Sequence, residues 1–418
     1  MSSLQITTLL CAFSALLGQL MPATADDWPQ WQGPHRTGHS AEANLQSSWP
    51  TGGPRRLWLY ENCGTGYSSP AIVENRLYIM GSRGGTTYLL AIDTQRGNQV
   101  WATAVGPEFD ENQGNGPRGT PTVAGNHVYG LSCTGTLICA NVRNGQEIWR
   151  RTMQDFGGSM PGYGFSESVL VAGDLVICTP GGQRGSVVAL ERNTGKLRWQ
   201  SRAITDGAHY TSMLLVNHLG HPQLIQLLPS QVVGLSPDNG RVLWQIARDG
   251  PIAVATTPIY HNGNVYVSSA YGAGCLMFHV DADNHVQEIY RNKILNNHHG
   301  GVMLVGNVLV GSEGNNSDRG FVCQDFLKGN RVWRERTGLG GGAVIYADNR
   351  LYTLSEKEAM VRLAAVSEKG WTVHGQFQLE PQSKNRKSGR VWTHPALANG
   401  KLYLRDQEYV FCYDVREP

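Results

Sequence analysis

The fold is decided by a repeated segment, which first occurs as AIDTQRGNQVW at residues 91–101. It is repeated as CANVRNGQEIW at 139–149, LERNTGKLRW at 190–199, GLSPDNGRVLW at 234–244 and CQDFLKGNRVW at 323–333. A weaker copy, VDADNHVQEIY, ends at residue 290, and a further copy has decayed to Phe377 in HGQFQL. The closing aromatics at 101, 149, 199, 244, 290 and 333 are 43 to 50 residues apart, the length of one four-stranded propeller blade.

Each strong copy has a glycine four residues before its tryptophan, at positions 97, 145, 195, 240 and 329. The apolar run before the glycine is typical of a third strand, and the Asn, Asp and Gly cluster predicts a tight turn with positive φ. The tryptophan then lies on an outer fourth strand, where its large ring can fill the gap against the next blade. The predicted docking residues are Trp58, Trp101, Trp149, Trp199, Trp244, Tyr290 and Trp333.

A second repeated signal marks the first two strands of each blade. SPAIVENRLYIMG from residue 69 is one of eight copies of an apolar strand, a short Asn-, Asp- or Gly-rich turn and an alternating strand. The last copy lacks a fourth strand, which PRRLWLYE near the N-terminus can supply. We therefore predict an all-β, eight-bladed β-propeller of four-stranded antiparallel blades, closed by pairing residues 55–61 with the C-terminal blade. The predicted blades span residues 67–105, 118–153, 163–203, 209–247, 253–292, 298–336, 341–380 and 391–416 plus 55–61, within a propeller region 55–418 behind an irregular arm at 26–54.

The N-terminus carries an apolar run at residues 9–20 followed by Ala23-Thr24-Ala25, which predicts a signal peptide at 1–25 cleaved before Asp26. The run is too short to span a bilayer as a helix, and no later stretch is long or apolar enough to do so. We expect a monomeric exported protein, periplasmic or extracellular, that is soluble after cleavage. The formal net charge of +2 gives no basis for a nucleic-acid partner.

Seven cysteines follow the predicted cleavage site, an odd number that cannot all pair. Cys139, Cys323 and Cys412 fall at a repeat position that holds alanine or glycine in other blades. A position restricted to small residues predicts a packing slot, so we expect buried free thiols there. The sequence leaves open a disulfide among the other four, Cys63, Cys133, Cys178 and Cys275.

The A-x-D/E-x-x-x-G-x-x-x-W repeat resembles the tryptophan-docking repeat of PQQ-type (pyrrolo-quinoline quinone) propellers. The arm DWPQWQGPHRTGHSAE at residues 27–42 is similar to the start of exported, BamB-like repeat proteins. The resemblance covers essentially the whole chain after the predicted signal peptide. It implies the propeller fold but leaves function open, because the scaffold serves quinoprotein alcohol dehydrogenases, the assembly factor BamB and sensor domains attached to bacterial Ser/Thr kinases.

Quinone chemistry needs features that the sequence lacks. The resemblance implies adjacent cysteines, calcium ligands and a catalytic Asp in the dehydrogenases, whereas this chain has no Cys-Cys pair and is much shorter. No G-x-S-x-G elbow, H-E-x-x-H motif or kinase catalytic motif is present. We identify no catalytic or cofactor-binding residue and expect no cofactor, with PQQ and calcium kept as the alternative.

Polar clusters in the sequence are interpreted as turns and not as metal sites. Asp281, Asp283 and Asn284 lack the rest of an EF-hand loop and fall at a predicted turn between third and fourth strands. The polar loop 313–318 is interpreted as a solvated hairpin tip, and the glycine run 338–342 precedes a strand, which excludes a phosphate loop. The pair His298-His299 could ligate a metal, but the spacing identifies no third ligand.

A binding site is expected where the innermost strands begin. Short turns share one face of the ring, while the long loops 107–119, 157–164, 292–300 and 382–390 share the other, which we call the loop face. Ring closure gathers the strand starts around an axial funnel, with the aromatic and hydrogen-bonding groups that a ligand site needs. The candidate residues are Tyr67, Arg118, Phe165, His209, Tyr210, Thr256, His298, His299, Trp392 and His394.

A complete set of blades without a recognisable catalytic constellation favours a non-catalytic binding or scaffold protein of the cell envelope. Its loop face and funnel would contact envelope proteins, peptides or a small ligand. The alternatives are a PQQ-dependent alcohol dehydrogenase-like oxidoreductase and a free-standing sensor domain.

Overall fold

A computed structural model describes residues 27–250, 252–314, 320–335 and 341–417. These residues form thirty-two strands in eight four-stranded antiparallel sheets, with one 3₁₀ turn at Met153–Phe156. The fold is therefore the predicted eight-bladed β-propeller. Within the same ranges, no helix has the length and apolar character needed to cross a membrane. The predicted signal peptide, and parts of the loop 313–318 and of the glycine run 338–342, lie outside the described residues.

The first four blades follow a lone strand, β1 (Arg56–Tyr60). Blade 1 contains β2 (Ala71–Val73), β3 (Arg76–Arg83), β4 (Thr86–Asp93) and β5 (Gln99–Pro107). Blade 2 contains β6 (Thr122–Ala124), β7 (His127–Leu131), β8 (Thr136–Asn141) and β9 (Glu147–Thr152). Blade 3 contains β10 (Leu170–Ala172), β11 (Leu175–Cys178), β12 (Val188–Glu191) and β13 (Leu197–Gln200). Blade 4 contains β14 (Leu214–His218), β15 (His221–Leu227), β16 (Gln231–Leu235) and β17 (Val242–Ala247).

The other four blades complete the ring. Blade 5 contains β18 (Ile259–His261), β19 (Asn264–Ser269), β20 (Gly274–Val280) and β21 (Val286–Asn292). Blade 6 contains β22 (Val302–Val305), β23 (Val308–Ser312), β24 (Phe321–Asp325) and β25 (Arg331–Glu335). Blade 7 contains β26 (Gly342–Ala347), β27 (Arg350–Ser355), β28 (Met360–Ser367) and β29 (Gly370–Gln378). Blade 8 contains β30 (Ala396–Ala398), β31 (Lys401–Asp406) and β32 (Tyr409–Asp414), and β1 is its fourth strand.

The ring is closed by the two ends of the chain. Strand β1 pairs antiparallel with β32, which places Trp58 opposite Cys412. Upstream of β1, Leu45 forms a further antiparallel bridge with Arg416. The N-terminal strand thus completes the last blade, as predicted from its missing fourth strand.

One contact repeats at the seams between blades. The indole N–H of Trp149 donates to the carbonyl oxygen of Arg192 in the third-to-fourth-strand turn of the next blade, at 2.9 Å. A Cβ added to Gly145, whose φ is +72°, would lie 2.6 Å from the ring of Trp101, so the close approach as well as the turn requires glycine. The same donation into the next blade's turn is made by Trp58, Trp101, Trp199, Trp333 and the hydroxyl of Tyr290.

The seam between blades 4 and 5 departs from this pattern. In blade 5 the residue four positions before Tyr290 is not glycine but Val286, which begins β21 and pairs with Val280, so the turn that faces Trp244 spans 281–285. The Trp244 indole donates instead to Gln223 Oε1 within its own blade, at 2.7 Å. Its ring still meets the next blade, edge-on to Phe278 with centroids 5.5 Å apart.

The seam between blades 7 and 8 uses a residue from the arm. Gly375 lies opposite Leu363, the position that tryptophan holds in other blades, and a Cβ there would be 2.5 Å from Trp49 Cβ. Trp49 therefore fills the space that the missing tryptophan leaves. Phe377, the decayed docking residue, packs against Gly53 just before β1.

The packing slot for small residues is confirmed by the strand register. Cys139 pairs directly with Trp149, and Cys323 pairs with Trp333. A larger side chain at this position would collide with the indole across the strand pair. All seven cysteines in the described ranges are buried free thiols, so the open question about Cys63, Cys133, Cys178 and Cys275 is answered without a disulfide.

Candidate functional site

The first part of the N-terminal arm, residues 28–40, crosses the axis of the ring, and we call it the axial segment. Trp28 forms a two-hydrogen-bond bridge with Ile72 of β2, at 2.8 Å in each direction. At the other end, the N–H of Ser40 donates to Tyr346 O of β26. The segment contacts an innermost strand, or the loop before it, in every blade, through Ile72, Val123, Ser168, Met213, Thr257, Met303, Tyr346 and His394.

Arg36 anchors the axial segment. Its side chain is buried, with only 2% of the residue exposed, and Nε donates to Gln30 Oε1 at 2.9 Å. Burial lowers the pKa of Arg36 to about 10, which leaves the guanidinium charged at neutral pH. Its terminal nitrogens donate to backbone carbonyl oxygens at the starts of blades 3 and 4, those of Ser168, Val169 and Met213.

A buried carboxylic acid lies close to this anchor. Glu167 precedes β10 and accepts hydrogen bonds from the N–H and the hydroxyl of Thr179, at 2.6 and 3.1 Å. Burial raises the pKa of Glu167 to about 7, although Thr179 and the charge of Arg36 both favour its ionised form. Glu167 therefore changes charge near neutral pH.

A cavity of about 330 Å³ lies at the loop face of the ring, with Trp31 of the axial segment in its wall. Its other walls come from the residues just before the innermost strands and from the long loops. Because the axial segment crosses the ring, this cavity is a pocket closed on one side and not an open channel. The lining residues are Trp31, Tyr67, Gln113, Arg118, Tyr163, Ser166, Ser168, Tyr210, Ser212, Ala253, Ala255, Tyr271, His298, His299, Glu356, Arg390, Trp392 and His394.

Seven of the ten candidate funnel residues line this cavity, namely Tyr67, Arg118, Tyr210, His298, His299, Trp392 and His394. The other three have local structural contacts instead. Phe165 is buried in the apolar cluster between blades 2 and 3. The Nδ1 atom of His209 accepts from Val254 N–H, and the Thr256 hydroxyl donates to Asn297 Oδ1.

Aromatic rings form much of the cavity wall. Trp392 lies edge-on to His299 with centroids 4.8 Å apart, and its ring is 5.4 Å from Tyr67. On the axial segment, Trp31 lies edge-on to His394 at 4.4 Å and donates its indole N–H to Thr257 Oγ1. Such a wall can sandwich a planar ligand.

His298, His299 and Glu356 form a cluster beside Trp392. The two imidazole rings stack with centroids 3.7 Å apart. Glu356 Oε2 accepts from the Trp392 indole N–H at 3.0 Å, and its Oε1 is 3.6 Å from His299 Nδ1. Burial, with the neighbouring His299 and Arg390, lowers the pKa of His298 to about 2, so His298 is neutral at physiological pH.

His394 offers a hydrogen-bond acceptor in the cavity wall. Its Nε2 lies 2.7 Å from the carbonyl oxygen of His299, which can only accept, so Nε2 carries the proton. Burial lowers the pKa of His394 to about 4, which keeps the ring neutral and Nδ1 unprotonated. Within the described ranges, the buried Nδ1 atom has no hydrogen-bond partner.

Two arginines give part of the cavity wall a positive charge. The Arg118 guanidinium lies over the ring of Tyr67, 5.6 Å from its centroid, and 3.7 Å from Glu111. Arg390 is half-buried, and its Nη1 makes no hydrogen bond to any described residue. The Nη1 atom is itself buried, while the rest of the guanidinium side chain contributes positive charge to the cavity wall.

Several residues that line the cavity were not among the ten predicted from the sequence. Gln113, Tyr163 and Arg390 belong to long loops that the sequence placed on this face, so loop membership was the available signal. Tyr271 and Glu356 lie between the second and third strands of blades 5 and 7, whose reach toward the axis no local pattern reveals. Trp31 was missed because nothing in the arm's composition shows that it crosses the ring.

The donor atoms of this cavity do not suit the calcium that the PQQ resemblance implies. Ca²⁺ takes six to eight oxygen ligands, whereas the cluster offers two imidazoles and one carboxylate. The exposed cluster of Asp281, Asp283 and His285 is a turn, because Asp281 Oδ1 accepts the N–H groups of Asp283 and His285. The described residues of the cavity therefore do not fit the calcium ion that the resemblance implies beside PQQ.

The blades and their docking aromatics define a PQQ-like repeat propeller. The family model described as outer membrane protein assembly factor BamB matches residues 55–162 and 85–335, more than half of the chain. The chain belongs to this BamB-like family, as the repeat predicted.

A curated relative and two solved structures are similar to the chain. BamB of Burkholderia pseudomallei (strain K96243) is 30% identical over 178 residues, which are 42% of this chain and 41% of that protein, so the match spans about two fifths of the relative. Quinohemoprotein alcohol dehydrogenase from Comamonas testosteroni has a TM-score of 0.65 at 14% identity, and the match covers 95% of this chain and 82% of the dehydrogenase chain. BamB from Moraxella catarrhalis has a TM-score of 0.61 at 13% identity, and the match covers 86% of this chain and 99% of the BamB chain. At these identities the solved structures show the fold alone.

Proposed function

We propose that the protein is a non-catalytic binding protein of the cell envelope whose loop-face cavity holds a compact, planar ligand with an acidic group. The observation that carries this proposal is the pocket made by the axial segment: a space of about 330 Å³, closed on one side and walled by aromatic rings. Small-ligand sites have this volume and this mixture of apolar walls with a few convergent polar groups.

The polar groups of the cavity narrow the ligand class. The positive charges of Arg390 and Arg118, which both line the cavity, favour an acidic group on the ligand. The buried Nδ1 of His394 has no partner among the described residues, which costs free energy, and a donor on the ligand would relieve this cost if the ring turned toward the cavity. A flat ring between Trp31 and Trp392 matches the aromatic walls. A carboxylate on that ring matches the two arginines, and a hydroxyl or N–H group matches His394.

The family supports an envelope setting. The family model and the curated relative are both named as the outer membrane protein assembly factor BamB, so we further propose export through the signal peptide at 1–25 and protein contacts on the loop face around the cavity. A peptide threaded along the axis does not fit, because the axial segment contacts all eight blades. A partner protein would reach the cavity only with a side chain or a chain end.

Calorimetric titration of the exported protein tests the ligand class. The probes are 4-hydroxybenzoate and 4-hydroxybenzyl alcohol, which differ in the acidic group but share the ring and the hydroxyl. We expect saturable one-to-one binding of the acid and much weaker binding of the alcohol. Arg390→Gln should abolish that preference, while Arg198→Gln on the exposed outer strand of blade 3 should preserve it. Equal affinity for the two probes in the wild-type protein would refute the acidic-ligand proposal.

A second assay tests the absence of catalysis. The protein is incubated with PQQ and calcium, and dye-linked alcohol oxidation is followed. We expect no turnover above that of the free quinone, because the cavity offers calcium two imidazoles and one carboxylate. Stoichiometric quinone binding with turnover would replace the binding-protein proposal by the oxidoreductase alternative.

A further inference from the structure

We propose that His298, His299 and Glu356 form a binding site for a divalent transition-metal ion on the cavity wall. Each residue offers one ligand atom, and these atoms all lie within 4.8 Å of one another. The two histidines precede β22 of blade 6, and Glu356 directly follows β27 of blade 7. The site therefore bridges two neighbouring blades at the axis.

The donor set selects the class of metal. Two imidazole nitrogens and one carboxylate oxygen suit Zn²⁺ and its first-row neighbours, and this set with an open fourth position is found in zinc enzymes. The oxygen-preferring ions Ca²⁺ and Mg²⁺ would lack most of the ligands that they need. Zn²⁺ is therefore the appropriate probe.

Hydrogen bonds from outside the cluster hold the ligands in orientation. The Trp392 indole N–H binds Glu356 Oε2 at 3.0 Å, which leaves Oε1 on the side of His299. The hydroxyl of Tyr271 lies 2.9 Å from His298 Nε2 and leaves the other ring nitrogen of His298 for an ion. Partners of this kind accompany most metal ligands in proteins, because they fix the tautomer and the direction of each donor.

The cluster is sheltered yet reachable. The side chains of His299 and Glu356 are 25% and 11% exposed, and all three ligands line the cavity. An ion bound there would have a coordination position open toward the cavity, available to water or to an acidic ligand. Metal binding does not require the organic ligand, so it is independent of the proposed function.

The chain contains a matched comparison cluster. Asp281, Asp283 and His285 also have ligand atoms within 4.8 Å of one another, but Asp283 and His285 are exposed. The Asp281 carboxylate is already engaged, because Oδ1 accepts two backbone N–H groups and Oδ2 lies 3.1 Å from His285 Nδ1. Zinc should distinguish the two clusters.

The experiment is a titration of chelator-treated, full-length exported protein with ZnCl₂, with CaCl₂ as the comparison ion. We expect one zinc per chain and no saturable calcium binding. Glu356→Gln keeps an acceptor for Trp392 but removes the charge, and should weaken zinc binding by about 10–100-fold. His299→Asn should have an effect at least as large, whereas Asp281→Asn should leave zinc affinity unchanged.

Two readouts separate a lost site from a lost fold. The thermal midpoint of zinc-free Glu356→Gln should match that of the wild-type protein, while zinc should raise the midpoint of the wild type alone. Arg390→Gln should retain zinc binding even where it loses the aromatic acid, so the two proposals fail separately. The metal site is refuted if the wild type binds no stoichiometric zinc, or if Asp281→Asn and not Glu356→Gln removes it.

Discussion

The seams between blades and the axis of the ring use the same residue type in different ways. At a seam, Trp149 buries its ring against a glycine of the next blade and donates to a backbone carbonyl. At the axis, Trp31 and Trp392 border a cavity and donate to the side chains of Thr257 and Glu356. Most seam tryptophans hydrogen-bond to backbone carbonyl groups, which every blade has, so these tryptophans can repeat from blade to blade. The axial tryptophans hydrogen-bond to particular side chains that occur at one place in the chain. The tryptophan repeat therefore marks the scaffold and does not mark the tryptophans of the cavity.

The largest expected effect is at a seam. Trp149→Ala should lower the free energy of unfolding by about 3–5 kcal/mol, because a buried indole is replaced by a cavity between two blades. Denaturant titration measures the loss. Trp149→Phe keeps most of the buried ring and loses chiefly one hydrogen bond, so it should cost about 1 kcal/mol beyond the change in packing. An alanine variant as stable as the wild type would contradict the role assigned to the repeated tryptophan.

The next effect tests the anchor at the axis. Arg36→Met should destabilise the protein by about 3 kcal/mol, since it leaves buried carbonyl oxygens of blades 3 and 4 without their charged donor. The axial segment should also become more sensitive to limited proteolysis. The matched control is Thr37→Ala, one residue further on and exposed, which should change stability by no more than about 0.5 kcal/mol. Equal protease resistance of Arg36→Met and wild type would show that Arg36 does not anchor the segment.

A smaller effect depends on pH. The pKa of Glu167 is raised to about 7 by burial, from 4.5 in the unfolded chain, so the folded state binds the proton more tightly. The resulting stability is complete below pH 4.5 and is lost as pH rises through 7. Glu167→Gln should remove this dependence, changing the slope of unfolding free energy by at most about 1.4 kcal/mol per pH unit in that window.

Unfolding curves at pH 4.5, 6 and 7.5 for wild type and Glu167→Gln measure this difference. Other titrating groups cancel in the comparison, since both proteins contain them. A constant difference between the two proteins across these pH values would mean that Glu167 does not titrate in the folded state near neutrality.

The scaffold was predictable because its causes are local. A glycine four residues before a tryptophan indicates both the turn and the surface against which the preceding blade packs its ring. The eight hairpin copies gave the blade count, and the fourth strand missing from the last copy gave the closure through Trp58. Even the exception at Trp244 has a local sign, because the facing copy has Val286 and no glycine four residues before its closing aromatic. No local pattern predicts the position of Trp49, because the space that it fills at Gly375 belongs to a strand more than three hundred residues away.

The site was predictable only in part, for the same reason. Strand starts could be read from the hairpin signal, and they gave His298, His299, Trp392 and other residues of the wall. Glu356 belongs to a loop whose distance from the axis depends on the twist of a blade. Trp31 belongs to a segment without regular structure, whose path depends on carbonyl groups gathered from separate blades.

The smallest expected change in stability comes from replacing an axial tryptophan, and this replacement should clearly change zinc binding. Trp392→Phe keeps an aromatic face in the cavity but removes the N–H that orients Glu356 Oε2. Stability should change by no more than about 1 kcal/mol, while zinc affinity falls by about tenfold, as for other outer partners of metal ligands. Trp149→Phe should show the reverse pattern, with reduced stability and unchanged zinc affinity. If both phenylalanine variants bind zinc equally well, Trp392 does not position the ligand, and the distinction between seam and axial tryptophans holds for stability alone.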